Sequence, residues 1–441
     1  MAVKVGMVSL GCPKNQVDAE IMLSILQKGG CEITADENQA EVIIVNTCGF
    51  IGDAKQESID NIIELGELKN KGTLKAIIVT GCMAERYREE ILKEMPEVDA
   101  VVGIGENKNI CEIVKKVLAK ESFGCFSDKN NLLMNADRML TTPSYTAYLR
   151  IADGCDNKCT YCAIPMIRGG FRSREIENVI AEAKSLAENG AKEIILIAQD
   201  TTRYGEDLYG EYKLPQLLDE LQKIDGIEWI RILYAYPDKI TDELIAAMKR
   251  NSKVLHYLDI PMQHASDKVL KRMNRKGDGQ FLKMLIEKLR AEIPDITIRT
   301  TFIVGFPGED EEDFEILAEF VQNSKFNRMG AFAYSPEENT PAAEFPDQID
   351  EDVKQRRLEV LMTEQSVVND ELAEAQIGKE LDVLIEGYDR MNKCYYGRSK
   401  MDAPDIDGKV FFMSQSEHKA GEILKLSIYD RIDYDLLGEE I

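Results

Sequence analysis

Apolar residues in this chain gather in short runs, separated by longer stretches in which they return every three to four positions. Residues 3–10, 42–46 and 76–80 read as buried strands, and the segments after them carry the helical period. Strand followed by helix, repeated, is the βαβ pattern of a doubly wound parallel sheet. Residues 122–143 lose any period and collect polar and turn-forming residues, which predicts a connection with a boundary near Arg138.

From Tyr145 onward, strand candidates recur at 147–151, 193–198, 229–234, 254–260, 297–304 and 329–334, with helices between them. This succession predicts an open (β/α)6 partial barrel, the complete TIM form needing eight units. A long charged helix over 351–376 follows, with Val353, Leu358, Leu361 and Val367 among its charges. After Gly378 the pattern changes to short alternating stretches at 381–385, 409–412 and 423–428, divided by Gly and Asp turns, which predicts a small all-β barrel. The expected fold class is therefore α/β, in three segments. These are a doubly wound N-terminal domain over 1–137, the partial barrel over 138–376 and the small β-barrel over 377–441.

Length and composition sharpen this picture in two ways. With 441 residues, 44% of them hydrophobic, the chain can bury more than one core. The N-terminus opens directly into a strand-like run, and no apolar stretch approaches the roughly 20 residues that cross a bilayer. A cytoplasmic protein without a membrane partner is expected. A net charge of -25 and a pI near 4.7 argue against a general nucleic-acid binder, which needs clustered Lys and Arg, and favour a basic protein partner or simple solubility.

Ten cysteines in a reducing compartment point to metal ligation wherever their spacing is regular. Cys155, Cys159 and Cys162 form CxxxCxxC on the loop after the first strand of the partial barrel. Three thiolates on one loop hold three corners of a cubane cluster and leave one iron open. A structural zinc site prefers four ligands in two pairs, and no neighbouring Cys or His completes one. Cys12, Cys48 and Cys82 instead lie far apart in sequence, each at the end of a strand candidate: SLGCPKN, VNTCGF and VTGCMAER. Parallel strands end along one edge, so these three are expected to converge, each before a helix start whose dipole favours thiolates. Buried structural cysteines are the plainer alternative for this trio, and Cys31, Cys111, Cys125 and Cys394 are read as ordinary packing or surface residues.

The CxxxCxxC spacing, with Tyr161 before its last cysteine, resembles the radical S-adenosylmethionine superfamily. That resemblance implies an open iron that chelates S-adenosylmethionine and an electron that cleaves it to a 5'-deoxyadenosyl radical. Such cluster potentials extend to about -700 mV. It also implies Tyr161 near the adenine, where the alternative is a loop aromatic closing the core. The whole layout, with three N-terminal cysteines, a radical core and a terminal barrel of the TRAM type, resembles the methylthiotransferases. Two 4Fe-4S clusters, S-adenosylmethionine as both methyl donor and radical source, a reducing electron donor and a sulfur donor are thereby implied. Residues 9–18 (SLGCPKNQVD) are similar to the branch that modifies the β-carbon of an aspartate in small-subunit ribosomal protein S-twelve. Ala19 stands where that branch commonly has Ser. The segments AQDTTRYG, PMQHAS and GFPGE look like the same branch, with ribosomal protein S-twelve, or the small ribosomal subunit, as partner.

Charge bears on the substrate separately. Residues 379–441 carry 14 acidic against nine basic side chains, whereas a tRNA-docking barrel should be positive. Asp402, Asp405, Asp407, Asp430, Asp433 and Asp435 are expected either to complement a basic protein or to form a solvated acidic face, and direct tRNA binding is not expected. Gln199, Asp200, Arg231, Gln263, Arg299 and Thr300, at or near strand ends, are candidates to bind S-adenosylmethionine or the target aspartate, or to be structural. Gly305, Pro307 and Gly308 make a turn that either admits the cofactor or is simply tight. His264 is read as pocket lining or as a satisfied core histidine; His256 and His418 carry no signal. The competing functions are a tRNA adenosine methylthiotransferase and, in a different class, a non-catalytic two-cluster electron carrier, whose irons would all be capped by cysteine.

Overall fold

Three β-systems built from these strands organise the chain. A computed structural model describes residues 2–72 and 74–441. The first sheet is parallel throughout, in the order Glu32–Ile33, Lys4–Ser9, Val42–Thr47, Ala76–Gly81, Ala100–Val102, Phe123–Cys125. Its central strands, Val42–Thr47 and Ala76–Gly81, are buried along their whole length, as expected where helices cover both faces. Ile44, Ile78 and Val102 pack on one face, and Ile43, Ile77 and Val101 on the other. Phe123–Cys125 lies inside the stretch that sequence reading assigned to a connection; three residues are too short to show a period.

The second sheet is also parallel, in the order Arg328–Ala333, Thr297–Val304, Val254–Asp259, Trp229–Ile232, Glu193–Ile197, Thr146–Arg150. These are the six strands of the expected open barrel. The third is a closed antiparallel-dominated barrel of Glu380–Asp389, Cys394–Ser399, Val410–Met413, Asp435–Glu440 and Ile423–Ile432 around Val383, Ile385, Phe412, Leu426 and Ile428. The long helix preceding it spans Glu351–Glu374.

Two compact units cut across these sequence segments. One comprises Met1–Thr142, Ala152–Arg174 and Ser335–Ala343; the other comprises Pro143–Ile151, Glu175–Tyr334 and Glu344–Ile441. The cysteine loop after the strand Thr146–Arg150 is thus part of the N-terminal unit. The small barrel belongs with the partial barrel.

A buried ionic seam explains that second association. Glu193 accepts from Arg231 at 2.8 Å and from Arg398 of the small barrel at 2.6 Å, all three fully buried or nearly so. Arg398 also pairs with Glu386, and Arg231 donates to the Lys400 carbonyl at 2.9 Å while stacking on Tyr257. Asp402 pairs with Arg328, and Asp407 accepts from the Tyr257 hydroxyl at 2.7 Å and lies 3.6 Å from Arg299. Asp402 and Asp407 are therefore inside the molecule, which corrects their assignment to an acidic docking face. Asp405, Asp430 and Asp433 remain exposed.

Burial opposes the charge on Glu193, but the Arg398 and Arg231 guanidiniums outweigh it and hold its pKa below the ordinary carboxylate value. Its contribution is present above the unfolded value of about 4.3 and is lost as pH falls through the lower folded value. Glu193→Gln strands two buried guanidiniums and is expected to cost about 3–5 kcal/mol at neutral pH. Urea unfolding should show this deficit shrinking as the pH is lowered through the carboxylate range.

Candidate cluster and cofactor sites

Three strands of the first sheet, Lys4–Ser9, Val42–Thr47 and Ala76–Gly81, are each followed by a cysteine at the same edge. Cys12 is the N-cap of the helix Pro13–Lys28, and Cys82 opens the helix Cys82–Tyr87. Cys48 departs from the expected pattern. Ile51, not Cys48, caps the helix Gly52–Asn70, and the Cys48 backbone is held by the Ser58 hydroxyl, which accepts from its N–H at 3.2 Å and donates to its carbonyl at 3.1 Å.

The three loops touch. Gly11 has φ +89°, and a Cβ there would lie 2.9 Å from Cys48 Sγ; a Cβ on Gly49 would lie 2.7 Å from the Met83 backbone beside Cys82. Asn15, fully buried, ties the edge together by donating to the Leu10 carbonyl at 3.0 Å and the Thr47 carbonyl at 2.8 Å. Asn46 donates in turn to the Asn15 carbonyl at 2.7 Å.

A residue that sequence reading passed over completes this group. Arg168, at the end of the helix Ile164–Arg168 that follows Cys162, is 2% exposed. Its Nη1 lies 2.6 Å from Asp18 and 3.4 Å from Asp153, and its Nη2 donates to Asn15 Oδ1 and reaches Cys82 Sγ at 3.5 Å. Ala163 and Ile167 of the same segment pack on Cys82. The only signal in the sequence was an arginine at the end of an otherwise apolar run, Ile164 to Ile167. Burial raises the Cys48 thiol and pushes Cys82 up to about 12, while Arg168 pulls both the other way.

Cys155, Cys159 and Cys162 share this unit. Cys155 N–H donates to the Gly169 carbonyl at 3.0 Å, Cys162 N–H to the Cys159 carbonyl at 3.2 Å, and Ala342 N–H to the Thr160 carbonyl at 2.9 Å, so the loop is pinned along its length. Cys155 and Cys159 are buried; Tyr161 and Cys162 are half-buried. Among the described residues, no group of three or more His, Cys, Asp or Glu side chains is arranged to hold a single metal ion. A cubane spreads its ligands over three irons, so its thiolates stand farther apart than those of one ion. All-thiolate donor sets at two places, one beside a buried guanidinium, fit iron-sulfur clusters.

The other candidates lie on the second sheet, where strand alternation separates them. Arg299 and Thr300 are neighbours on one strand and therefore face opposite sides. Arg299 pairs with Asp259 at 3.0 Å, and the Thr300 hydroxyl donates to the Ile260 carbonyl at 2.9 Å. Arg231 is taken up by Glu193 in the seam. These three side chains make structural contacts, the alternative given for them alongside cofactor binding.

Gln199 and Asp200 follow the strand Glu193–Ile197. Asp200 accepts from the Thr202 hydroxyl at 2.5 Å, whereas Gln199 Oε1 is buried with no hydrogen-bond partner among the described residues. Tyr234 and Gln263, past the ends of the next two strands, have φ of +62° and +73°. Such strain, of order 1–3 kcal/mol each, persists where surrounding contacts over-determine it. Gln263 is fixed by bonds to Thr301 and Ile303 on both sides of its peptide. Gly305 and Gly308 have φ of +69° and +82°, with Lys354 and Arg272 side chains where Cβ atoms would be, which fits a tight turn. His264 is fully buried, accepts from Ser266 N–H at 3.0 Å and has Nε2 3.4 Å from Glu309.

Known proteins resemble the chain along its whole length. Residues 4–103 match the family described as uncharacterized protein family UPF0004, residues 149–321 the radical SAM superfamily, and residues 377–441 the TRAM domain. The ribosomal protein uS12 methylthiotransferase RimO of Lachnoclostridium phytofermentans is 51% identical over 99% of both chains. That of Geobacter sulfurreducens is 51% identical over 99% of this chain and 98% of its own. Among solved structures, the radical S-adenosylmethionine methyltransferase TsrM from Kitasatospora setae, with cobalamin and a 4Fe-4S cluster bound, superposes with a TM-score of 0.57. It covers 78% of this chain and 77% of its own at 13% identity, a likeness of fold alone.

Asn15→Ala would leave the Leu10 and Thr47 carbonyls without their donor, at about 1–3 kcal/mol. Thermal unfolding of the metal-free protein should register that loss, and iron analysis after anaerobic reconstitution should show lower occupancy.

Proposed function

The chain belongs to the family of ribosomal protein uS12 methylthiotransferases, radical S-adenosylmethionine enzymes, and on that premise we propose that it inserts a methylthio group at the β-carbon of an aspartate of ribosomal protein uS12. The observation that carries this reading is the presence of two cysteine trios in one unit: Cys155, Cys159 and Cys162 on a loop, and Cys12, Cys48 and Cys82 along a sheet edge. Each trio holds one 4Fe-4S cluster. When bound, a cluster with an open iron supplies the electron that cleaves S-adenosylmethionine and the vacancy at which a ligand is held.

The chain's own contribution is to bind, orient and exclude water. Gln199 presents a buried acceptor whose hydrogen bond is met by the cofactor, since a buried oxygen without a donor is costly. Gln263, fixed in a strained conformation, and half-buried Tyr161 are the other cofactor-binding candidates retained; Asp200 positions the turn after Gln199 through Thr202. One S-adenosylmethionine serves as methyl donor and one as radical source, with a sulfur donor and a reducing partner supplying the rest.

Charge supports a protein substrate. The small barrel stays acidic after its internal pairs are removed, with Asp405, Asp430 and Asp433 exposed, which suits a basic ribosomal protein and would repel a tRNA phosphate backbone.

Anaerobically reconstituted protein, given reductant, S-adenosylmethionine and sulfide, should add one methylthio group to uS12 and none to tRNA, as read by mass spectrometry. Modification of tRNA alone would reverse the substrate assignment. Cys155→Ala should abolish 5'-deoxyadenosine formation. Cys12→Ala should keep some cofactor cleavage and lose methylthiolation; unchanged methylthiolation by that variant would remove the second cluster from the reading.

A further inference from the structure

The geometry around Arg168 points to a role beyond packing. We propose that Arg168 is a positioning residue for the cluster at Cys12, Cys48 and Cys82, its Nη2 hydrogen-bonding the Cys82 thiolate and its fixed positive charge raising that cluster's reduction potential. The inference rests on the two-cluster reading above.

Several features set this guanidinium apart from an ordinary core arginine. It is buried and reaches Cys82 Sγ at 3.5 Å, at the end of a fork whose other arm is anchored to Asp18 at 2.6 Å and Asp153 at 3.4 Å. Asn15, which ties the loops of Cys12 and Cys48 to each other, accepts from the same Nη2. The fork is therefore aimed by groups on both sides and is not free to swing away. Asp153 also lies 3.9 Å from Arg172, so the anchoring arm of the fork is set in a charged network that fixes its direction. A guanidinium is always charged and its planar donors are directional, so it acts here as a permanent counter-ion.

The consequence for the electron follows from Coulomb's law. Reducing a thiolate-ligated cluster adds negative charge, and a nearby buried cation stabilises that added charge more than the oxidised state. Hydrogen bonds to the ligating sulfur act in the same direction, and burial keeps solvent from screening either effect. Arg168 also belongs to the segment that carries Cys155, Cys159 and Cys162. The residue that tunes one cluster is thus covalently close to the ligands of the other, and a change in the loop is felt at both.

The test is a potentiometric titration of the full-length, anaerobically reconstituted protein, followed by electron paramagnetic resonance of the reduced clusters, with Cys12→Ala identifying which signal belongs to which trio. Arg168→Gln, which keeps an N–H donor but removes the charge, is expected to shift one midpoint to more negative values by about 59 mV, a tenfold change in a one-electron equilibrium. The other midpoint should move less. Arg168→Lys, which restores the charge without the fork, should recover part of the shift. A merely structural arginine would lower iron content or thermal stability and leave the midpoint of the retained cluster where it was; full iron content with an unshifted midpoint in Arg168→Gln overturns the proposal. Where Arg168→Gln does not retain the cluster, Arg168→Met, which fills much of the same space with neither charge nor donor, carries the test, and an unshifted midpoint there overturns the proposal equally. Wild-type protein that binds no more iron than Cys12→Ala would instead overturn the two-cluster reading.

Discussion

Parallel pairing obliges every strand of a sheet to end at the same edge, and the N-terminal site depends on that constraint. Cys12, Cys48 and Cys82 are separated by more than thirty residues at each step, yet the register of Lys4–Ser9, Val42–Thr47 and Ala76–Gly81 brings their loops into contact. An antiparallel sheet would have sent alternate loops to opposite edges. Asn15 then converts proximity into a defined arrangement by occupying the carbonyls that the ends of the strands leave open.

Charge burial governs the other unit in a comparable way. Glu193, Arg231 and Arg398 form a buried triad, with Arg328, Asp402, Tyr257 and Asp407 beside it. Ion pairs of this kind add little net stability over apolar packing, but breaking one partner is costly, so they enforce a particular mate. The small barrel is held to the partial barrel by this requirement for specific counter-charges. Its acidity therefore has two meanings, since some aspartates answer internal arginines and others face solvent.

The two cysteine trios are presented by complementary devices. A short loop carries one trio with its backbone pinned at Cys155, Thr160 and Cys162, and a sheet edge carries the other with its side chains gathered around Asn15 and Arg168. The first is compact in sequence and the second is not. On the partial barrel, Tyr234 and Gln263 hold positive φ past the ends of two strands, and Gln199 keeps a buried acceptor with no hydrogen-bond partner among the described residues.

The amino-acid sequence by itself determined the order and type of the major elements, because runs such as 42–46 are too short for a helix and are set between segments that do carry the helical period. It also determined the CxxxCxxC loop and the resemblance built on it, since those ligands are neighbours along the chain. Tertiary structure alone decided which charged groups meet. Arg231 and Arg299 look like pocket residues until their partners across the seam are known, Asp402 and Asp407 look like surface until they are found inside, and Arg168 looks unremarkable until the chain folds it onto Cys82. Periodicity is a local property and so can be read from a string of residues. An ion pair or a contact to a cysteine sulfur between residues 86 positions apart depends on where two distant segments are carried, and the local pattern holds no record of that.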